Sequence, residues 1–191
     1  MGFLDALLGR TKPVQPDLDR LFALPSAAVT LAASTTFAPT GVGSVCFRPM
    51  EGRAFSDIEA EVRQLVDSDA AKTAPVEVTP DSYGFTWMVI RQPPDQLESL
   101  VTNLHAVNST LADTGFGPSL LCSLVVFRDA SGQRLALVYL YKRGTFYPFA
   151  PLPGEKRNSA VELQVRAAVE GDLMIEKDLE RWFPVWGAPG L

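Results

Sequence analysis

Two long apolar runs, joined by a short polar connection, constrain the fold of this chain more than any other feature. Residues 120–127 read LLCSLVVF and residues 135–141 read LALVYLY, with DASG at residues 129–132 between them. An aspartate that opens and a glycine that closes a four-residue connection favour a type I turn, so we expect an antiparallel hairpin. Apolar side chains point to both faces of these strands, which is typical of the covered centre of a sheet. The chain is therefore expected to build a sheet around residues 119–153.

The remaining composition describes an ordinary globular protein. Of the 191 residues 47% are hydrophobic and 20% are charged, and the apolar runs are too short to cross a membrane. No signal-peptide pattern opens the chain, so we expect a cytoplasmic protein. The formal charge of −5 disfavours general nucleic-acid binding. Cys46 and Cys122 lie in apolar, strand-like contexts and are expected to be buried thiols instead of a disulfide.

The first ten residues, MGFLDALLGR, predict a short amphipathic helix that is separate from the domain. A proline-punctuated linker, TKPVQP, follows, so we expect an N-terminal segment at residues 1–16 and a single domain at residues 17–191. Two interpretations remain open. The apolar face binds a membrane or a partner weakly and reversibly, or it docks on the protein's own core or on another subunit. This face comprises Phe3, Leu4, Leu7 and Leu8.

Strand-like runs alternate with helical patterns through the rest of the domain. This mixed order, with frequent hairpin connections, favours an α+β fold: a mostly antiparallel sheet with helices packed mainly on one face. Besides the central hairpin, strands are expected at residues 26–33, 43–49, 76–78 and 83–91, and an edge strand is expected around Pro148.

Helices are predicted from capping and stop signals. Asn108 falls within the apolar stripe of the longest helix, so its side chain needs a hydrogen-bond partner, which we expect to be a backbone group of the sheet. The first predicted helix is short, capped by Asp17 and stopped at Pro25. The second begins with a capping box of Ser56 and Glu59 and has Leu65 in its buried stripe. The longest runs from residue 95 to Gly115, and the last begins with a capping box of Ser159 and Glu162.

Few residue types in this chain support catalysis or metal binding. His105 is the only histidine, so a serine triad or a cysteine–histidine pair would have to use it, and both cysteines are expected inside strands. One histidine and two scattered cysteines have no zinc-ligand spacing, and no glycine-rich phosphate loop opens a helix. We therefore predict no catalytic residue, no cofactor and no metal.

Two aromatic segments are candidates for partner or membrane binding. Residues 142–157 combine rings with basic side chains, and residues 182–186 carry three large rings. The alternative for both segments is burial, with the rings packed on the sheet and the charges at a solvated rim. Together with the N-terminal face, the candidate residues are Lys142, Arg143, Phe146, Tyr147, Phe149, Trp182 and Trp186.

The sequence resembles one known family from end to end. The segments that carry the resemblance are MGFLDALLGR, FALPSAA, SYGFTW, LHAVN, GFGPSLLCSLVVF, LALVYLYKRGTFYPFAPLPGE and RWFPVWGAPGL. They are similar to the actinobacterial PspA-associated family PspAB, an accessory of the phage-shock envelope-stress system in which PspA coats stressed cytoplasmic membranes. The resemblance implies an accessory role and no reaction. More loosely, the order of elements is similar to that of YbjN and the secretion chaperones, an analogy at the level of fold alone.

The sequence leads to three hypotheses for the function of this protein. The first is a non-enzymatic adaptor that binds PspA or another phage-shock protein in the cytoplasm, with the anionic membrane surface as a second contact. The second is a secretion-chaperone-like domain that holds a protein, which a groove between the longest helix and the sheet would favour. The third is an unrecognised hydrolase, which requires a cleft where His105 meets a nucleophile.

Overall fold

The computed structural model of the chain describes residues 16–49, 52–68 and 73–191. The predicted N-terminal face of Phe3, Leu4, Leu7 and Leu8 lies outside these residues. Within them the chain forms a six-stranded antiparallel sheet with helices on one face, so the predicted α+β class is confirmed.

The sheet is open and every neighbouring pair of its strands is antiparallel. Its strands are β1 (Ala38–Phe47), β2 (Glu77–Pro80), β3 (Thr86–Arg91), β4 (Leu120–Arg128), β5 (Arg134–Leu140) and β6 (Thr145–Phe149). They are arranged in the order β2-β3-β1-β4-β5-β6. Two short strands, β7 (Pro151–Leu152) and β8 (Lys156–Arg157), form a separate ribbon. As predicted, β6 lies at an edge, where Pro148 needs no amide hydrogen.

The predicted central hairpin is confirmed as the β4–β5 pair. The Asp129 carboxylate accepts the amide N–H groups of Ser131 and Gln133 at 2.9 and 2.8 Å. The Gly132 amide donates to the Asp129 carbonyl, which is the hydrogen bond of a β-turn, and Gly132 itself has a φ of +88°. A left-handed glycine after such a turn adds one residue to the loop while keeping the twist of the two strands.

Helices pack on one face of the sheet, as predicted. In the described ranges they are α1 (Leu24–Ser34), α2 (Arg53–Asp67), α3 (Leu97–Leu111) and α4 (Ser159–Val169). The larger hydrophobic cluster joins their inner sides to one face of the strands. The irregular turn that ends α3 contains Gly115 with a φ of +93°, in agreement with the predicted stop.

The strand predicted at residues 26–33 is wrong, because these residues belong to α1. Pro25, expected to stop a helix, lies in the first turn of α1, where a missing amide hydrogen costs no hydrogen bond. Small side chains hide the helical period of this stretch. Its buried residues are Leu24, Ala27, Ala28 and Leu31.

The predicted start of α2 is also wrong, whereas the first short helix begins directly after Asp17, as predicted. Helix α2 begins at Arg53, so Ser56 and Glu59 lie inside it and do not form a capping box. Leu65, expected in its buried stripe, is about half exposed. Asp17 precedes the 3-10 helix Leu18–Ala23 but makes no side-chain cap bond.

Helix α4 is capped by Asn158 and not by the predicted pair of Ser159 and Glu162. The Asn158 side chain accepts the amide N–H of residue 161 at 3.3 Å. Glu162 is buried and accepts hydrogen bonds from the Ala150 amide at 2.9 Å and from Arg157 at 3.0 Å. This carboxylate therefore ties α4 to the chain after β6, a tertiary contact that takes the place of a local cap.

Asn108 is buried and finds its partners as expected, but one of them differs from the prediction. Its side-chain amide donates to the Leu104 carbonyl of its own helix at 2.7 Å and to the Ser123 hydroxyl of β4 at 2.8 Å. The partner on the sheet is thus a side chain and not a backbone group.

Strand β1 begins at Ala38, earlier than the predicted strand at residues 43–49. The added part contains a register shift against β4 and includes Gly41, whose φ is +77°. A Cβ atom at this position would lie 2.0 Å from the Gln92 carbonyl oxygen. Only glycine fits such a close backbone approach.

The C-terminal tail covers the second face of the sheet. Trp182 is 5% exposed, its ring stacks on Tyr147 with centroids 6.0 Å apart, and its indole N–H donates to the Glu176 carbonyl at 3.0 Å. Trp186 meets Phe149 edge to face at 4.8 Å. Trp182 is therefore packed on the sheet, whereas Trp186 packs on Phe149 and is only partly buried.

Candidate functional site

A cleft of about 670 Å³ opens on the tail-covered face of the sheet. Its floor is formed by side chains of five strands, one wall is the turn between β2 and β3, and the other wall is the tail at residues 181–186. The floor includes Cys46, Trp87, Cys122, Leu140 and Tyr147, the walls include Tyr83, Phe85, Phe183 and Trp186, and the cationic rim consists of Arg48, Lys142, Arg143 and Arg181.

Two small side chains lower the floor of the cleft. Cys46 and Cys122 are direct partners across the β1–β4 pair, and both are buried and free, as predicted. The hydrogen bond between the two thiols and their burial hold the pKa of Cys46 well above its ordinary value. The Cys46 thiol is therefore neutral, and a neutral thiol is a poor nucleophile and a poor metal ligand.

The turn wall is held in shape by Asp81. Its carboxylate accepts the amides of Tyr83 and Phe85 at 2.8 and 2.9 Å and the indole N–H of Trp87 at 2.8 Å. Burial opposes ionisation of Asp81, but these hydrogen bonds outweigh it and hold its pKa below the ordinary value. This turn therefore holds the Tyr83 and Phe85 rings at the mouth of the cleft, where they are 46% and 38% exposed.

The rim carries four basic side chains, and two of them form no ion pair with any residue that the structure describes. Arg143 pairs with Glu176 at 2.6 Å and Arg181 pairs with Asp178 at 3.0 Å. Burial opposes ionisation of Glu176, but the hydrogen bonds from Arg143, from a backbone amide and from a threonine hydroxyl hold its pKa below its ordinary value. Arg48 and Lys142 are exposed and make no ion pair within the part of the chain that the structure describes.

The structure divides the predicted surface residues into two groups. Lys142, Arg143 and Trp186 line the cleft, and Tyr147 forms part of its floor. Four of the predicted rings are buried, as in the alternative that the sequence left open, and their role in binding stays a prediction. The tail covers one side of β6 and the helix layer covers the other. The buried rings are Phe146, Tyr147, Phe149 and Trp182.

Sequence reasoning missed most of the aromatic mouth. Tyr83, Phe85 and Trp87 alternate along the chain, and in an extended segment this spacing would place three rings on one side. That signal was available. Nothing local indicated that Phe183, from the tail, would face them across the cleft and remain 56% exposed.

His105 lies away from the cleft, on the outer part of the helix layer. Its imidazole contacts Asp19 at 3.2 Å and the Ser109 hydroxyl at 3.4 Å, and it packs against the Phe22 ring at 4.9 Å. These are the residue types of a hydrolytic triad. However, the Asp19 side chain is 88% exposed, whereas a triad needs a buried carboxylate to orient its imidazole, and none of these residues lines the cleft.

Helix α3 leaves no room for the groove that a secretion-chaperone-like domain would need. Its inner side chains pack against the sheet without exposure; they include Leu100, Val101, Leu104, Val107 and Leu111. Among the described residues, His, Cys, Asp and Glu form no group of three or more that could hold a metal ion. Every helix in the same ranges is too short or too polar to cross a bilayer.

Comparison with known proteins identifies the family. The family model described as PspA associated protein B matches residues 1–190. The chain belongs to this family. The resemblance read from the sequence is therefore confirmed, and a PspA-linked accessory role is consistent with membership. Comparison with curated proteins and with solved structures gives no match.

Proposed function

We propose that this member of the PspA associated protein B family is a non-enzymatic adaptor that binds PspA or another phage-shock protein. The observation that carries the proposal is the cleft. It is lined largely by apolar side chains, its rim is cationic, and its Cys46 thiol is neutral, so it is suited to holding an apolar group.

The partner contact is proposed at the mouth of the cleft. Tyr83, Phe85 and Phe183 are large exposed rings beside the basic Lys142, and exposed aromatic and cationic groups are enriched in protein interfaces. A partner segment that combines apolar and acidic side chains would complement this surface. The same proposal places the protein in the cytoplasm, at the periphery of the membrane. Residues 1–10 form its N-terminal hook, a segment that binds anionic lipid or a partner weakly.

Co-purification with PspA from stressed cells tests the adaptor role. The informative variant is Phe183→Asp, which places a negative charge at the mouth of the cleft on an exposed residue. The matched control is Leu163→Asp, which makes the same change at an equally exposed position on the outer side of α4. We expect Phe183→Asp to reduce recovery of PspA several-fold and Leu163→Asp to leave it unchanged. If the wild-type protein recovers no phage-shock protein, the adaptor role is rejected.

The hook has a separate test. Co-sedimentation with anionic vesicles compares the full chain with a chain that lacks residues 1–10. Lower recovery of the shortened chain is expected because its apolar face has been removed, whereas equal recovery would eliminate the hook and leave the adaptor role untouched.

A secretion-chaperone-like role receives less support. Its expected groove lies between the longest helix and the sheet, where α3 is packed, whereas the cleft opens on the opposite face. We therefore do not propose it as the function.

A further inference from the structure

Three polar ring groups of the cleft lining are engaged by the protein itself. The indole N–H of Trp87 donates to Asp81, and the Tyr147 hydroxyl donates to a backbone carbonyl of the tail at 2.7 Å. The Tyr83 hydroxyl donates to a glutamate beyond the mouth. The floor strands pair their backbone groups within the sheet. The floor of the cleft therefore offers few hydrogen-bond partners to a sugar or an extended peptide enclosed there.

This lining therefore selects a ligand whose enclosed part is hydrocarbon. The rim then selects the charge of the part that stays outside. Arg48 and Lys142 are exposed cations without ion pairs among the described residues, and Asp81, the carboxylate of the lining, has its oxygens occupied by the turn. An anionic head group would meet the positive charge of these two side chains at the rim, while the Asp81 carboxylate is held by the turn.

From this complementarity we infer that the cleft binds one long-chain, single-tailed anionic lipid, with its acyl chain on the thiol floor and its carboxylate at Arg48 and Lys142. A volume of about 670 Å³ lies within the range of small-molecule pockets, about 300–1,000 Å³. The rings of Tyr83 and Trp186 line the mouth, where amphipathic aromatic side chains suit a boundary between hydrocarbon and water. This site does not depend on PspA and extends the proposed function.

Binding can be measured on the purified full-length protein stripped of lipid. Palmitate is titrated below its aggregation limit, the fluorescence of Trp87 and Trp186 reports occupancy, and native mass spectrometry reports stoichiometry. We expect one palmitate per chain. Shortening the probe to myristate removes two methylene groups and should weaken binding about tenfold. The uncharged monopalmitoylglycerol, with the same chain, should also bind more weakly.

Variants of residues that line the cleft test whether palmitate binds there. Replacing both Arg48 and Lys142 by alanine should weaken palmitate binding about three- to tenfold. The matched control, Arg128→Ala, removes an exposed cation that does not line the cleft and should have no effect. Leu140→Trp fills the cleft from its floor and should abolish binding. Phe183→Asp, on an exposed residue, repels the head group and serves if the filled variant fails to fold.

Three results would overturn the inference. One is uptake of several palmitate molecules that neither Leu140→Trp nor Phe183→Asp reduces, because that is adsorption to the surface. Another is equal binding of the charged and uncharged probes. The third is binding of an acidic amphipathic peptide by a protein that ignores palmitate, which would make the cleft a helix site instead.

Discussion

The packing of the C-terminal tail on the sheet predicts that Trp182→Ala strongly destabilises the domain. Trp182 is 5% exposed, and its ring lies on Tyr147 in the second hydrophobic cluster. Truncating a buried tryptophan to alanine costs about 3–5 kcal/mol, because apolar burial is lost and a cavity remains. The indole hydrogen bond to the Glu176 carbonyl is lost as well. Since domains are stable by about 5–15 kcal/mol, a large share of the free energy of unfolding depends on this one side chain.

The neighbouring residue supplies the matched control. Phe183 is 56% exposed, and its contribution to the fold is a backbone carbonyl that accepts the Tyr147 hydroxyl, which alanine retains. Phe183→Ala should therefore change the free energy of unfolding by no more than about 0.5 kcal/mol.

Urea unfolding followed by far-ultraviolet circular dichroism measures both variants without relying on tryptophan emission. For a domain of this size, a loss of about 3–5 kcal/mol corresponds to a melting temperature lower by about 6–20 °C. If Trp182→Ala falls within about 1 kcal/mol of the wild type and matches Phe183→Ala, the tail is not part of the cooperative fold. The reasoning about the covered second face would then be refuted.

Two further stability predictions concern a glycine and a buried carboxylate. Gly41→Ala should lower the free energy of unfolding by at least about 2 kcal/mol more than Gly84→Ala in the same assay. Both glycines have a positive φ, but only at Gly41 would an added Cβ meet the Gln92 carbonyl oxygen, at 2.0 Å. Equal losses in the two variants would contradict this clash. Glu176→Gln should lower the free energy of unfolding at pH 7 by about 1–3 kcal/mol, because it weakens the pair with Arg143. The pKa of Glu176 is lowered in the folded state, so its contribution is present above the unfolded pKa of about 4.3 and is lost as pH falls through the folded pKa. The stability of the variant should thus vary less with pH in acid than that of the wild type, and parallel profiles would argue against the assignment.

Elements with strong local signals were predicted well. The β4–β5 hairpin has two apolar runs and a turn that Asp129 and Gly132 stabilise within five residues, so its structure depends on neighbours in sequence. Helix α3 has a continuous apolar stripe and a glycine stop. Where the local signal was weak, as in the alanine-rich stretch of α1, a helix was mistaken for a strand because small side chains define neither period clearly.

The cleft could not be predicted from any single segment of the sequence. Lys142 follows β5, the exposed rings of Tyr83 and Phe85 belong to the β2–β3 turn, and Phe183 belongs to the tail. Strand order brings these positions to one face, and strand order is not contained in any single segment. The same holds for Phe146, which looks displayed in its aromatic, basic segment but is buried because β6 is covered from both sides.

From the sequence alone, then, the α+β class, the central hairpin, the two buried thiols and the family could be determined, because each is written in residues that are adjacent or in a pattern along the chain. Tertiary structure alone decided which aromatic rings are buried, which rings surround the cleft, and which rim cations pair with an acid among the residues that the structure describes. Burial and charge pairing depend on what packs above a residue, and in this protein that is often a part of the chain far away in sequence, as with Cys46 and Trp182.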